Sequence, residues 1–207
     1  MNQVLILHAR LPGDVACAAA DELLARLPYA RRLELERRDA AGRLASLAGA
    51  ALVLAGAGRM RGRRFDPAQL RFAPGRAPTL EGGPRFSVSH SHGRVGVALC
   101  DHGAVGLDLE EPASVGDTAG ARLGSIERWT AIEAVLKAAG AGVREAGRVQ
   151  LSEDHSSATF ADEVFHLRPL ALAAGCIACL ATQSPAATAI VEEVAIPWPA
   201  AAGNETD

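Results

Sequence analysis

Hydrophobic and polar positions along the chain alternate between strand-like runs and helical spacing. In the first 84 residues, a short continuous apolar run is typical of a buried strand, and apolar residues then recur at the three- and four-residue spacing of amphipathic helices. Gly, Arg and Pro dominate later in this stretch and indicate loops. The predicted elements are a strand at 4–7, a helix from an Asp14 cap to Leu27, a helix over 31–57, and a loop-rich segment at 56–84 with one strand near 70–72.

The spacing changes after residue 84, where short apolar runs separated by turn residues become common. Ser125 is a good N-cap and Gly140 a good C-terminal stop for one helix between them. The predicted elements are strands at 85–88, 94–99 and 104–109, a helix over 126–139, and a second antiparallel set around Phe160, 164–167, 176–181 and 188–194.

Helices followed by hairpins occur once in each half of the chain. This order favours an α+β fold with segregated antiparallel sheets packed against helices over an alternating parallel sheet. We therefore predict two similar α/β halves at 1–100 and 101–196, and a flexible tail at 197–207.

Charge and composition narrow the classes of partner. The 207 residues carry a formal net charge of −3, which gives no global attraction to nucleic acid or to an anionic membrane. Arginines concentrate between Arg26 and Arg76, whereas acids concentrate later. The basic stretch suits a polyanionic small molecule, although solvated arginine-rich helices would have the same composition. The chain begins without a secretory signal pattern, so a cytoplasmic location is expected.

Cys176 and Cys179 have the two-residue gap of a redox or zinc pair. They lie in a predicted strand, where residues three apart point to opposite faces. Buried, unreactive cysteines are therefore the favoured interpretation.

Two acid-bearing segments could form one site. Asp108 and Glu110 are two apart on a predicted strand, so both carboxylates leave the same face. Glu133 and Lys137 share one face of the predicted helix. Each pair alone also fits an ordinary polar surface, as a solvated strand edge or an i,i+4 ion pair. Together they offer three hard oxygen ligands for Mg²⁺ and a cation for a phosphate.

A third polar cluster lies upstream, at Ser89 and His90. Neighbouring Ser and His residues do not make a hydrolase, because catalytic triads meet through the fold. His90 and His92 could suggest a transition metal, but the other histidines are scattered. Hydrogen bonding of this cluster to a phosphate fits the neighbouring acids better.

In order and spacing, four segments resemble the motifs of the 4′-phosphopantetheinyl transferases, specifically their longer, pseudo-dimeric monomeric type. The segments are Gly-Arg-Ala-Pro at 75–78, Phe-Ser-Val-Ser-His-Ser at 86–91, Val-Gly-Leu-Asp-Leu-Glu at 105–110, and Trp-Thr-Ala-Ile-Glu-Ala-Val-Leu-Lys at 129–137. The resemblance implies two halves related by a pseudo-twofold axis, and transfer of 4′-phosphopantetheine from coenzyme A to an apo acyl or peptidyl carrier protein.

The resemblance also implies a role for each matching residue. Asp108, Glu110 and Glu133 would bind Mg²⁺, with Glu133 as the base and with Asp108 and Lys137 also catalytic. The residues implied to bind coenzyme A are Arg43 with Arg38 or Arg37 at the 3′-phosphate, Gly75, Arg76 and Pro78 at the adenine, and Ser89, His90 and Lys137 at the other phosphates.

This chain departs from the family pattern at two places. Ile132 stands where the family usually has lysine, and the first motif has an extra residue with Arg76 in place of lysine. Neither change removes a metal ligand, so activity is expected to survive. Two rivals are a Mg²⁺-dependent hydrolase of nucleotide pyrophosphates and a non-catalytic relative that binds a carrier protein or coenzyme A.

Overall fold

The computed structural model describes residues 3–13, 18–73, 76–111 and 125–198. Four α-helices lie within these ranges: α1 (Ala18–Arg26), α2 (Tyr29–Glu36), α3 (Ala40–Arg61) and α4 (Ile126–Ala139). The strands are β1 (Gln3–Arg10), β2 (Leu70–Arg71), β3 (Thr79–Leu80), β4 (Arg85–Ser91), β5 (Arg94–Cys100), β6 (Val105–Glu110), β7 (Gln150–Leu151), β8 (Ser157–Phe160), β9 (Glu163–Leu170), β10 (Ile177–Thr182) and β11 (Thr188–Glu193). Two 3₁₀ helices span Pro67–Gln69 and Val143–Arg148.

The strands form two main sheets. The first has the order β11-β1-β5-β4, and the second has the order β6-β10-β9-β8-β7. Within the second sheet all neighbours are antiparallel, whereas β1 pairs antiparallel with β5 and parallel with β11. A short β2–β3 pair stands apart. The predicted α+β class, with antiparallel sheets packed against helices, is confirmed.

The two sheets pack face to face between helices. Leu5, Leu7 and Leu99 point from the first sheet towards α3. Val4 and Ile6 leave the opposite face of β1 and meet apolar residues of β6 and β10. The far face of the second sheet packs on α4. Period-two alternation thus supplies both faces of each sheet with apolar side chains and gives four layers, helix–sheet–sheet–helix.

The predicted helix at 31–57 is two helices in the structure. Asp39 interrupts it, because its backbone is extended and its side chain accepts a hydrogen bond from the Gly42 N–H at 2.8 Å. This N-cap starts α3, which ends at Gly62 in a left-handed conformation. The Asp14 cap predicted for the first helix lies outside the described residues.

The prediction that residues 188–194 belong to the second antiparallel set is wrong. β11 lies at the edge of the first sheet and runs parallel to β1, with Leu5 opposite Ile190. Local pattern marks a strand but does not choose its partner. The first sheet therefore combines strands from the predicted 1–100 half with one strand from the predicted 101–196 half.

The start of the predicted tail, Pro197 and Trp198, follows β11, and Trp198 packs against the core between α3 and the first sheet. The remaining tail residues lie outside the described ranges. By length and composition α3 is apolar enough to cross a bilayer, but 67% of its most hydrophobic window is buried inside the fold. The apolar residues of α3 are those of a core helix.

Candidate metal centre and adjoining cleft

The candidate site lies where α4 crosses β6. Gly106 permits this crossing, because a Cβ atom there would collide with the Ala134 carbonyl oxygen of α4. Ser125 caps the start of the helix by accepting a hydrogen bond from the Arg128 N–H at 3.1 Å, and Gly140 ends it in a left-handed conformation. The close crossing sets the carboxylates of the strand against those of the helix.

Asp108, Glu110 and Glu133 converge as the sequence predicts. One carboxylate oxygen from each lies within 4.8 Å of the others, and together they could hold a metal ion. Asp108 is only 1% exposed, and its Oδ2 atom has no hydrogen-bond partner within the described part of the chain. A buried carboxylate oxygen without a partner is costly, so the residues present fit a divalent cation with oxygen ligands.

Lys137 lies on the edge of this acid cluster. Its Nζ atom is 2.5 Å from Asp108 Oδ1 and 4.0 Å from Glu133 Oε2, and its side chain remains 30% exposed. One lysine therefore offsets part of the charge of three carboxylates and still reaches the solvent side. That position suits contact with an anionic group placed next to the cluster.

The Glu133 carboxyl has a strongly altered proton affinity. Burial, followed by repulsion from Asp108, raises the pKa of Glu133 to about 7, although the charge of Lys137 opposes this effect. A carboxyl group with this pKa exchanges its proton near neutral pH. Such a group can act as a base or bind a cation by releasing a proton.

Ser89 and His90 lie on opposite faces of β4, as neighbouring strand residues must. Ser89 is buried, and its hydroxyl contacts Asp108 Oδ1 at 2.8 Å and Lys137 Nζ at 2.9 Å. His90 is exposed and points to the other side of the strand, into the cleft. Its pKa is lowered, first because the walls of the cleft partly desolvate the ring and then because Lys137 and Arg38 carry positive charge nearby.

Two adjoining cavities form a cleft beside the acid cluster. The first, of about 190 Å³, includes Arg38 and His90 in its lining, and the second, of about 280 Å³, includes Arg76 and Lys137. Pro78 borders both cavities. The structure thus brings together these five residues, which the sequence predicts to bind coenzyme A, along one continuous surface.

The other predicted binding residues have different positions. Arg43 lies on α3 one turn before Ser46, a residue that lines the first cavity and accepts a hydrogen bond from Arg38 at 3.2 Å. Arg43 itself does not line either cavity. Gly75 lies outside the described residues. Arg31, which was not among the predicted site residues, lines the first cavity and stacks on Phe72, with its guanidinium carbon 4.6 Å from the ring centroid.

Sequence reasoning also missed Ser87 and Ser91. Both lie on β4 on the same face as Ser89, and they bond to β6 at Leu107 and Glu110. The available signal was the spacing, since three serines at alternate positions of a buried strand share one face.

Three further residues, Ile132, Cys176 and Cys179, can be compared with what the sequence indicates. Ile132 is 1% exposed and packs in the core between α4 and the second sheet, so it does not face the cleft. Cys176 and Cys179 are free thiols. Cys179 is buried as predicted, and burial raises its pKa to about 12, whereas Cys176 precedes β10 and is only partly buried. A thiol with this pKa is unreactive at neutral pH.

In comparisons with known proteins, no family model matches the chain, and a search of curated proteins finds no significant match.

Proposed function

We propose that this protein transfers the 4′-phosphopantetheine group of coenzyme A to a serine hydroxyl of an apo acyl or peptidyl carrier protein, with release of adenosine 3′,5′-bisphosphate. The observation that carries the proposal is the unpartnered, buried Oδ2 of Asp108 within a cluster of three carboxylates. The motif resemblance at 75–78, 86–91, 105–110 and 129–137 supplies the reaction. With it we propose the pseudo-twofold arrangement of two halves that the resemblance implies.

The charges around the cluster support a diphosphate ligand. Asp108, Glu110 and Glu133 would hold Mg²⁺, which when bound neutralises a pyrophosphate and polarises its phosphoryl oxygens. Lys137 reaches the edge of the same cluster and would contact the phosphate that is transferred. Cations therefore surround the region where charge develops, and phosphoryl transfer depends mainly on such positioning and charge.

The adjoining cleft supports a nucleotide next to that diphosphate. Arg38, Arg76 and His90 border it, together with Pro78 and the apolar ring of Phe86. Guanidinium groups suit phosphate oxygens, and apolar walls suit an adenine ring. In this arrangement the nucleotide would occupy the cleft and the pantetheine arm would leave past the acid cluster.

Glu133 is the proposed base for the carrier serine. Its side chain is still 23% exposed, so a carboxylate oxygen on the open side of the cluster would accept the hydroxyl proton. The hydroxyl oxygen would attack the phosphate bound to Lys137, and adenosine 3′,5′-bisphosphate would leave. Binding of the acidic carrier near the arginines of the cleft would place its serine beside Glu133.

The test is intact-mass analysis of several apo carrier proteins incubated with the protein, coenzyme A and Mg²⁺. We expect a carrier to gain the mass of one phosphopantetheine group, and we expect Asp108→Asn to abolish the gain. Glu153→Gln, which removes an exposed acid on a turn of the second sheet, is the matched control and should remain active.

Three outcomes would contradict the proposal in different ways. An unchanged mass gain with Asp108→Asn would refute the metal assignment. Rapid breakdown of coenzyme A without any carrier would favour the pyrophosphate hydrolase. Absence of a mass gain on every carrier, with coenzyme A still bound, would favour a non-catalytic binding protein.

A further inference from the structure

Three serines connect the edge strands of the two sheets. We call Ser87, Ser89 and Ser91 of β4 the serine seam. Their hydroxyl oxygens accept hydrogen bonds from the backbone N–H groups of three alternate residues: Leu107 at 3.0 Å, Leu109 at 3.2 Å and Glu111 at 3.3 Å. These N–H groups lie along the edge of β6 that does not face β10. The seam therefore takes the place of a backbone ladder between the two sheets.

The three hydroxyl groups differ in where they donate. Ser89 donates to Asp108 Oδ1 at 2.8 Å, and Ser91 donates to Glu110 Oε2 at 2.9 Å. Ser87 contacts the Leu107 carbonyl oxygen at 3.4 Å, which is a backbone atom. Two of the three serines thus bond to a carboxylate of the acid cluster, whereas within the described residues the third bonds only to the main chain.

Ser89 has no hydroxyl capacity left for another ligand. A serine hydroxyl has one donor and two acceptor positions. The donor goes to Asp108, and the acceptors receive the Leu109 N–H and the Lys137 ammonium at 2.9 Å. Its side chain is buried, so a phosphate would have to displace one of these bonds.

We propose that Ser89 and Ser91 are positioning residues for the metal ligands of β6. Each serine holds the backbone N–H that follows a ligand and one carboxylate oxygen of that ligand. These two hydrogen bonds fix the orientation of the Asp108 and Glu110 carboxylates and direct their remaining oxygens towards Glu133. Ser89 acts on the metal centre through Asp108 and Lys137, and it does not bind the phosphates of coenzyme A.

Hydrogen bonds from outside the ligand set orient a ligand and tune the metal affinity. This inference rests on the metal site of the proposed function, but not on the transfer reaction. Its experiment therefore measures binding of Mn²⁺ alone, by electron paramagnetic resonance of the free ion, without coenzyme A or a carrier. The full-length protein is compared with Ser89→Ala, Ser91→Ala and Ser87→Ala.

We expect Ser89→Ala and Ser91→Ala each to weaken Mn²⁺ binding by about tenfold or more. Ser87→Ala should bind Mn²⁺ as tightly as the wild type, although all three variants lose a seam hydrogen bond and should unfold at lower urea concentrations. Ser91→Thr retains a hydroxyl and should recover most of the affinity. The paramagnetic resonance spectrum of protein-bound Mn²⁺ should also change with Ser91→Ala and not with Ser87→Ala.

Equal weakening by all three alanine variants would overturn the proposal, because it would mean that loosening of the seam is the cause. Unchanged Mn²⁺ affinity in Ser89→Ala and Ser91→Ala would also overturn it, as would a wild-type protein that binds no Mn²⁺. Failure of the transfer assay alone would leave the expected Mn²⁺ pattern intact. The two proposals can therefore fail separately.

Discussion

At the scale of single residues, the acid cluster combines three carboxylates with one lysine. Lys137 contacts Asp108 directly, whereas Glu133 is 4.0 Å from the same ammonium group. The negative charge of Glu133 is therefore stabilised less than that of Asp108. Burial and the charge of Asp108 therefore raise the pKa of Glu133 to about 7, from an ordinary value of 4.5. A proton bound at Glu133 competes with a metal ion for the same oxygen atoms.

This competition predicts a pH-dependent metal affinity. Below about pH 7 Glu133 holds its proton, so each bound Mn²⁺ must displace it. We expect the affinity to rise by about tenfold per pH unit between pH 5.5 and 7 and to level off above that range. Isothermal titration calorimetry with Mn²⁺ across this pH range measures the affinity. Repeating it in buffers of different ionisation enthalpy gives the number of protons released.

The Glu133→Gln variant is the control, because glutamine has no proton to release. Its metal affinity should be low and should not rise with the same slope. A wild-type affinity that stays constant from pH 5.5 to 8 would contradict the raised pKa of Glu133.

Glu133 also determines how the free energy of unfolding of the metal-free protein changes with pH. Between pH 4.5 and about 7 the folded protein binds the Glu133 proton more tightly than the unfolded chain does. The free energy of unfolding should therefore fall as the pH rises through this window. In urea denaturation, we expect the free energy of unfolding to decrease less with rising pH in Glu133→Gln than in the wild type. At pH 8, added Mg²⁺ should restore the stability of the wild type and not that of Glu133→Gln. An identical pH dependence in both proteins would exclude this effect.

Substitution of Ile132 tests whether a lysine at this position could reach the cleft. The side chain is 1% exposed in the core beside the second sheet, so Ile132→Lys would bury an unpaired charge. We expect a loss of roughly 4 kcal/mol in the free energy of unfolding, measured by urea denaturation. Ile132→Val, which keeps an apolar side chain, should cost about 1 kcal/mol. A lysine variant as stable as the valine variant would indicate that this position can reach solvent.

Much of the site could be predicted at this scale. Asp108 and Glu110 share a strand face and Glu133 and Lys137 share a helix face, so periodicity alone indicates two pairs. The sequence could not give the distances between the pairs, because these depend on how α4 crosses β6. The bonding of Ser89 was also beyond local pattern, since its partners lie 19 to 48 residues away.

At the scale of elements, Gly106 controls how closely α4 approaches β6. An alanine Cβ at this position would overlap the Ala134 carbonyl oxygen and the Ala138 nitrogen, which are backbone atoms that cannot rotate away. We expect Gly106→Ala to displace α4, to destabilise the protein by about 3 kcal/mol, and to weaken Mn²⁺ binding by moving Glu133 from the strand ligands. Urea denaturation and Mn²⁺ titration measure the two effects.

Gly147 provides the matched control for this substitution. It lies in the 3₁₀ helix Val143–Arg148 of the same half, and a Cβ there would meet no atom within 4 Å. Gly147→Ala should change neither stability nor metal affinity appreciably. If Gly106→Ala behaved in the same way, the close crossing would not be what holds Glu133 in the cluster.

Element boundaries were predictable where a local signal marks them. Ser125 and Gly140 correctly bound α4, because caps act within one turn. Asp39 carried the same kind of signal, but the apolar spacing on both sides concealed the break between α2 and α3. The placement of β11 had no local signal, since its partner β1 lies at the other end of the chain.

At the scale of the whole molecule, three features join the two predicted halves. The sheets share an apolar interface that includes Ile6, Leu107 and Leu180. The serine seam connects β4 to β6, and β11 returns from the second half to complete the first sheet. The proposed metal ligands come from β6 and α4, while His90 and Arg38 come from the other predicted half. The candidate site therefore depends on the two halves remaining docked.

This dependence predicts that the halves unfold together. The chain contains two tryptophans, of which Trp129 lies on α4 and Trp198 packs against the core of the first half. The variants Trp129→Phe and Trp198→Phe leave one fluorescent reporter in each half. We expect their urea midpoints, each corrected for the stability change seen by circular dichroism, to agree within about 0.3 M.

Separate transitions would be the contrary result, and their order would identify the weaker half. Mg²⁺ sharpens the comparison, because its proposed ligands belong to the second predicted half alone. In a single cooperative unit, metal binding raises the midpoint reported by Trp198 as much as the midpoint reported by Trp129. In two independent units only the Trp129 midpoint would move. An equal shift, absent in Asp108→Asn, would therefore link the acid cluster energetically to a core on the far side of both sheets.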